Sequence, residues 1–140
     1  MSIFVVDASV AIKWFIPEIH GDTALRLHAP GNVLHVPNFL SLEIGNVLCK
    51  KQRQTELTRE EALLILRLLQ KLPLHWHPDD ILFHGAFSLA SETRRSLYDC
   101  MYLSLAALVD GLLITADRKF YDALQDTSHG KRLMWVEDLR

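Results

Sequence analysis

Cysteine is scarce in this chain: among 140 residues there are two, Cys49 and Cys100, far apart and in no paired spacing. A disulfide scaffold and a Cys-x-x-Cys metal or redox motif are therefore excluded, and both read as reduced thiols of a cytosolic protein. No apolar run reaches the roughly 18 uncharged residues that a bilayer crossing needs. The opening "MSIFVVDASVAIKWF" has no basic leader before its apolar run and meets Asp7 within a few residues. Neither secretion nor membrane spanning is expected, and the expected location is cytoplasmic. Positive charge is not in excess either: 15 Lys and Arg against 17 Asp and Glu give a formal net charge of −2. That excludes a polycation coating nucleic acid by charge alone and leaves room for a local basic patch. No repeat, low-complexity tract or linker divides the chain, so residues 1–140 are read as one domain.

What the chain does have is apolar content, 49% of residues, enough for a core without staples. Short β-rich runs alternate with longer helical ones, the pattern of a parallel sheet covered by helices on both faces. Strands are expected at Ile3–Val6, Val33–Val36, Leu74–His77, Leu112–Thr115 and Leu133–Val136. Two short helical pieces, Ser9–Phe15 and Asp22–His28, flank Pro17 and Gly21; longer helices are expected over Asn38–Gln52, Arg59–Leu72, Asp79–Glu92 and Tyr98–Val109, with a short one at Arg118–Leu124. Thr58 with Glu61 three residues on is a capping box, and Asp110–Gly111 reads as a helix stop.

Four acids fall at telling places. Asp7 ends the first strand and Asp117 follows the fourth, in "LLITADRKF". Ligands of open α/β sheets collect beyond the carboxyl ends of strands, yet an Asp there also serves as a plain helix cap. Glu43, in "NFLSLEIGNVLCKK", shares a helical stripe with Asn46 and Lys50 beside the apolar face of Leu40, Ile44, Val47 and Leu48; a solvated stripe has the same pattern. Asp99 sits in "SLYDCMYLSLAAL", where Leu97, Tyr98, Cys100, Met101 and Leu103 leave little polar surface. Either it caps a helix with Ser96, or it serves a site that needs negative charge.

The order of these acids resembles that of the PIN-domain nucleases, particularly the toxin component of bacterial VapBC toxin–antitoxin pairs. The resemblance covers nearly the whole chain, through "VVDASVAIKWFIPE", "NFLSLEIGNVLCK", "SLYDCMYLSLAAL" and "LLITADRKFYDAL". It maps the family's acidic residues onto Asp7, Glu43, Asp99 and Asp117, and its polar accessories onto Ser9, Asn46 and Thr115. It implies a three-layer α/β fold with a parallel sheet of about five strands, ordered 3-2-1-4-5, that gathers the four acids in one pocket. It also implies metal-assisted hydrolysis of RNA, a homodimer and a small cognate antitoxin.

Crowded carboxylates repel, a pair at 4 Å by about 4 kcal/mol at an effective dielectric near 20, and a divalent cation reverses that sign. All-oxygen ligands suit Mg²⁺ or Mn²⁺ over Zn²⁺. Asp7 and Asp99 are expected as direct ligands, with Glu43 and Asp117 completing the site, Ser9 and Thr115 adding hydroxyls and Asn46 orienting Glu43. The seven histidines form no His-Glu-x-x-His motif and are read as structural or solvated. Candidate phosphate contacts are Lys50, Arg95 and Arg118, within a basic rim that includes Lys51, Arg53, Arg94 and Lys119. The helix around "EEALLILRLLQKL" is apolar over more than one stripe through Leu64 and Leu68, as a dimer surface or a buried helix would be. A haloacid-dehalogenase phosphatase would carry an acid where Ser9 stands, and a response-regulator receiver needs an acid set the chain lacks. A catalytically idle RNA-binding or protein-binding module of the same fold is the remaining alternative.

Overall fold

The computed structural model describes residues 1–140. Five parallel strands, β1 (Ser2–Val6), β2 (Asn32–Pro37), β3 (Leu74–His77), β4 (Leu112–Thr115) and β5 (Leu133–Trp135), form one sheet in the order β3-β2-β1-β4-β5. That is the order implied by the family resemblance. In the central strands Phe4, Val5 and Val6 of β1 and Leu113, Ile114 and Thr115 of β4 are all buried. Strands covered on both faces read as continuous apolar runs, which is why "FVV" and "LIT" show no alternation.

Seven helices surround the sheet: α1 (Ala8–Ala11), α2 (Gly21–Leu25), α3 (Leu40–Arg53), α4 (Arg59–Lys71), α5 (Asp80–Thr93), α6 (Leu97–Val109) and α7 (Arg118–Leu124). Helix α6 touches β1, β2 and β4 as well as α5. It accordingly buries Cys100, Met101, Tyr102, Leu103, Leu105 and Ala106, nearly its full circumference. Helices α3 and α4 pack together. Both hydrogen bonds of the expected capping box form at the start of α4, Glu61 N–H to Thr58 Oγ1 at 3.1 Å and Thr58 N–H to Glu61 Oε1 at 2.9 Å. α4 buries Ala62, Ile65 and Leu69 but leaves Leu64 52% and Leu68 43% exposed, so its second apolar stripe faces out.

The structure departs from expectation at several ends. Ser9–Phe15 is not one helix but α1 followed by a 3₁₀ turn over Ile12–Trp14, and Asp22–His28 divides into α2 and a 3₁₀ turn over Arg26–His28. Helices this short lack the length to sustain α-type hydrogen bonding and tighten at their ends. β5 stops at Trp135, because Val136 turns inward to full burial and opens another 3₁₀ turn. The helix stop at Asp110–Gly111 is as expected: Asp110 adopts φ 53° and Gly111 N–H bonds Ala106 O at 2.9 Å. A Cβ on Gly111 would lie 2.8 Å from the Ile3 carbonyl oxygen, so only glycine lets α6 turn into β4 against β1.

β4 lies beside β1 although two crossover units separate them in sequence, which makes the gap between their carboxyl ends the topological switch point of the sheet. Val6 pairs with Ile114, so Asp7 stands level with Thr115.

Candidate active site

At this switch point the chain turns twice from strand to helix, and an acid caps each turn. Asp7 is the N-cap of α1 and accepts from Val10 N–H at 3.2 Å. Asp117 is the N-cap of α7 and accepts from Phe120 N–H at 3.2 Å. Each cap uses one carboxylate oxygen, so capping and a second role are compatible. Ser9 Oγ donates to Asp7 Oδ1 at 2.5 Å and accepts from Ala116 N–H at 3.0 Å. Thr115, fully buried, accepts from Asp117 N–H at 3.1 Å.

Asp99 reaches the site from the first turn of α6. The cap there is Ser96, whose Oγ accepts from Asp99 N–H at 3.0 Å. Unlike Glu61 in α4, the Asp99 side chain returns no bond to the cap backbone. Its carboxylate is therefore not committed to holding the helix end. Glu43 enters from the first turn of α3, and its partner is not Asn46: Tyr102 Oη donates to Glu43 Oε1 at 2.6 Å. Asn46 is exposed and faces a cavity shared with Ala8, Phe39, Glu43 and Tyr98. Position along a helix put Asn46 near Glu43, but a residue distant in sequence took the contact.

Charge ties the acids together. Burial is the main cause that raises Asp7 to about 7; bonds from Ser9, Thr115 and Val10 oppose it, and the Asp99 charge adds to it. Asp99 is raised first by burial and then by the charge of Asp117, with Ser96 and Arg95 opposing. Glu43 is raised by burial, with Tyr102 opposing and Asp99 adding. The Asp99 charge thus acts on Asp7 and Glu43, and the Asp117 charge acts on Asp99.

The surrounding cations are unevenly placed. Arg95 has a buried Nε without a hydrogen-bond partner, and its charge acts on Asp99. Lys50 lines a cleft of about 460 Å³ with Ser9, Lys13, Lys51 and Ala116. Lys51 is paired with Glu56 at 3.2 Å and Lys13 with Glu18 at 3.7 Å, whereas Lys50 has no ion pair. Arg118 is exposed, but its guanidinium lies 4.4 Å from the Trp135 ring centre and 3.7 Å from Asp122. Among the histidines, His35 Nδ1 and His77 Nε2 are 2.8 Å apart where β2 and β3 pair.

A match to the PIN domain family spans residues 4–124. The chain belongs to the PIN-domain family. It is 31% identical over 119 residues to the ribonuclease VapC3 of Pyrobaculum aerophilum, covering 82% of this chain and 89% of that one. A solved structure from Pyrobaculum aerophilum superposes with a TM-score of 0.72 at 22% identity, covering 99% of this chain and 86% of the other. A toxin–antitoxin complex from Klebsiella pneumoniae gives 0.62 at 16% identity, covering 97% of this chain and 98% of the other. Those two likenesses concern the fold.

The donor set of this PIN domain, four carboxylates with the hydroxyls of Ser9 and Thr115, is all oxygen and suits a hard cation. No three His, Cys, Asp or Glu side chains converge closely enough to hold a metal ion between them, so the single pocket for all four acids that the family resemblance implies is not formed in this structure. Tyr102 is the residue that reading along the sequence missed. It lies three residues after Asp99, on the same helical face, and a buried phenol always needs a partner for its hydroxyl.

Proposed function

We propose that the chain is a metal-dependent ribonuclease that hydrolyses RNA phosphodiester bonds, acting as the toxin of a type II toxin–antitoxin pair. The observation that carries this reading is the placement of Asp7 and Asp117 as caps of the two strand-to-helix turns at the switch point of a PIN fold, with Glu43 and Asp99 in the first turns of α3 and α6. Relatedness to a protein named a ribonuclease, at nearly full length, supports it.

Mg²⁺ or Mn²⁺ bound there supplies a water of lowered pKa and neutralises charge on the phosphodiester. Asp7 and Asp99 are the direct ligands in this reading. Glu43 and Asp117 complete the negative field and orient water. Ser9 and the Val10 amide hold Asp7 in one rotamer, which fixes a ligand before the cation arrives, and Thr115 secures the turn that carries Asp117. Arg95, Lys50 and Arg118 meet RNA phosphates; the charge of Arg95 acts on Asp99, and Lys50 lines the cleft beside Ser9 without an ion pair.

The partners follow from the same reading. The outward stripe of Leu64 and Leu68 contributes to a homodimer. A small antitoxin covers the acidic cleft or its rim, in line with the toxin–antitoxin complex among the structural neighbours. No helix is long and apolar enough to cross a membrane, and the proposed location is the cytoplasm. The test is cleavage of an RNA panel with Mg²⁺, with Mn²⁺ and with EDTA. Metal-dependent cleavage supports the reading; RNA binding without cleavage under any metal would assign the chain to the idle-module alternative.

A further inference from the structure

We propose that Tyr102 is a positioning residue for the acidic site: its hydroxyl fixes the Glu43 carboxylate toward the cleft and so governs how well the site holds its cation. The inference rests on the metal-dependent reading above and deepens it.

Three observations carry it. First, the contact joins two separate elements. Tyr102 Oη of α6 donates to Glu43 Oε1 of α3 at 2.6 Å, across 59 positions of sequence. Glu43 makes no other side-chain hydrogen bond, and it lines the cavity shared with Ala8, Phe39, Asn46 and Tyr98. Second, the direction of the bond is fixed. An ionised carboxylate only accepts, so the phenol supplies the proton and the hydroxyl points at Glu43. Third, the phenol cannot wander. Tyr102 is only 3% exposed, its ring centre lies 5.0 Å from that of Phe39, and the Phe39 N–H is in turn held by Asp79 Oδ1 at 3.0 Å.

Helix α6 thus supplies both the central carboxylate, Asp99, and the clamp on Glu43 one turn later. A merely structural tyrosine needs only its ring in the core, and phenylalanine would serve. Here the hydroxyl is aimed at a half-buried carboxylate whose other neighbour is the like charge of Asp99. Without it Glu43 loses its one donor and is free to swing toward solvent.

The test is Tyr102→Phe in the full chain, with Glu43→Gln and the double variant. Free Mn²⁺ is read by electron paramagnetic resonance, and thermal melting in EDTA reports the fold. Tyr102→Phe is expected to melt within a few degrees of the parent and to weaken Mn²⁺ binding by about tenfold or more, as loss of an outer partner of a ligand does. In the Glu43→Gln background the same change is expected to add less than about twofold, because the hydroxyl acts through Glu43. Unchanged Mn²⁺ affinity in Tyr102→Phe, or an equal loss in both backgrounds, overturns the proposal while the nuclease reading stands. A parent protein that binds no Mn²⁺ overturns both.

Discussion

The hydroxyl of Ser9 joins the two ends of the switch point: it donates to Asp7 at 2.5 Å and accepts from the Ala116 amide at 3.0 Å. One side chain therefore orients the carboxylate that follows β1 and secures the turn that follows β4. Ser9→Ala leaves the Ala116 N–H unpartnered and strips one donor from Asp7. We expect a stability loss of about 1–3 kcal/mol in urea unfolding at pH 7, with weaker Mn²⁺ stabilisation than in the parent. A loss below about 0.5 kcal/mol with parent-like Mn²⁺ response would show that the bridge is incidental.

The acids make the metal-free protein sensitive to pH in a definite direction. Asp7 rises from its ordinary 3.8 to about 7 through burial, so the folded chain holds a proton that the unfolded chain releases. Its contribution to stability is present below about pH 4 and is lost as pH climbs to 7, a change of up to about 4 kcal/mol. Glu43 and Asp99, also raised, act in the same direction. His28, His35 and His77, lowered by burial, act oppositely and weaken the fold as pH falls below their ordinary 6.5. Asp7→Asn isolates the carboxylate while keeping the cap. In EDTA, this variant is expected to exceed the parent in stability at pH 7.5, with the advantage shrinking toward pH 4. A difference that stays constant across that range would contradict the assignment.

Lys50 lines the cleft beside Ser9 without an ion pair, whereas Lys13 and Lys51 are held by Glu18 and Glu56. If it meets an RNA phosphate, Lys50→Ala weakens RNA binding alike for all sequences. The slope of log K against log salt should fall by about one unit, while Mn²⁺ affinity is unchanged. An unaltered slope in a binding titration would remove Lys50 from the interface.

The exposed pair Leu64 and Leu68 on α4 makes the oligomer testable. Leu64→Lys with Leu68→Lys places charge on the proposed dimer surface without touching the buried Ala62, Ile65 and Leu69. Light scattering at tens of micromolar is expected to change from dimer to monomer. A parent that is already monomeric there would dispose of the surface.

Much of this architecture was legible in the sequence, for identifiable reasons. The strands of a doubly covered sheet declare themselves as short apolar runs, and Asp7 and Asp117 stand where such strands end. Glu43 and Asp99 were different: local patterning allowed a solvated stripe for one and a cap for the other, and family resemblance singled them out. What stayed illegible depends on contacts between distant residues. Tyr102 lies within an apolar helix, and nothing local announces that its hydroxyl meets Glu43. Arg118 reads as a free cation until β5 brings Trp135 under its guanidinium. The 3₁₀ turns after α1 and α2 escaped because a single helical turn has too little periodicity to separate the two hydrogen-bond patterns.

Asp99→Asn tests most directly the proposal that Asp99, with Asp7, Glu43 and Asp117 around it, serves a hydrated cation that is completed by substrate phosphate. The helix cap survives this change, since Ser96 Oγ takes the backbone N–H of residue 99 whichever side chain stands there. The measurement is thermal melting with and without Mn²⁺, beside cleavage of an RNA that the parent cuts. Removing one member of a repelling cluster should keep or raise the melting temperature in EDTA. The Mn²⁺-induced rise should shrink and cleavage should fall by about two orders of magnitude or more. An Asp99→Asn protein that cleaves as the parent does and keeps its full Mn²⁺ stabilisation would contradict the account.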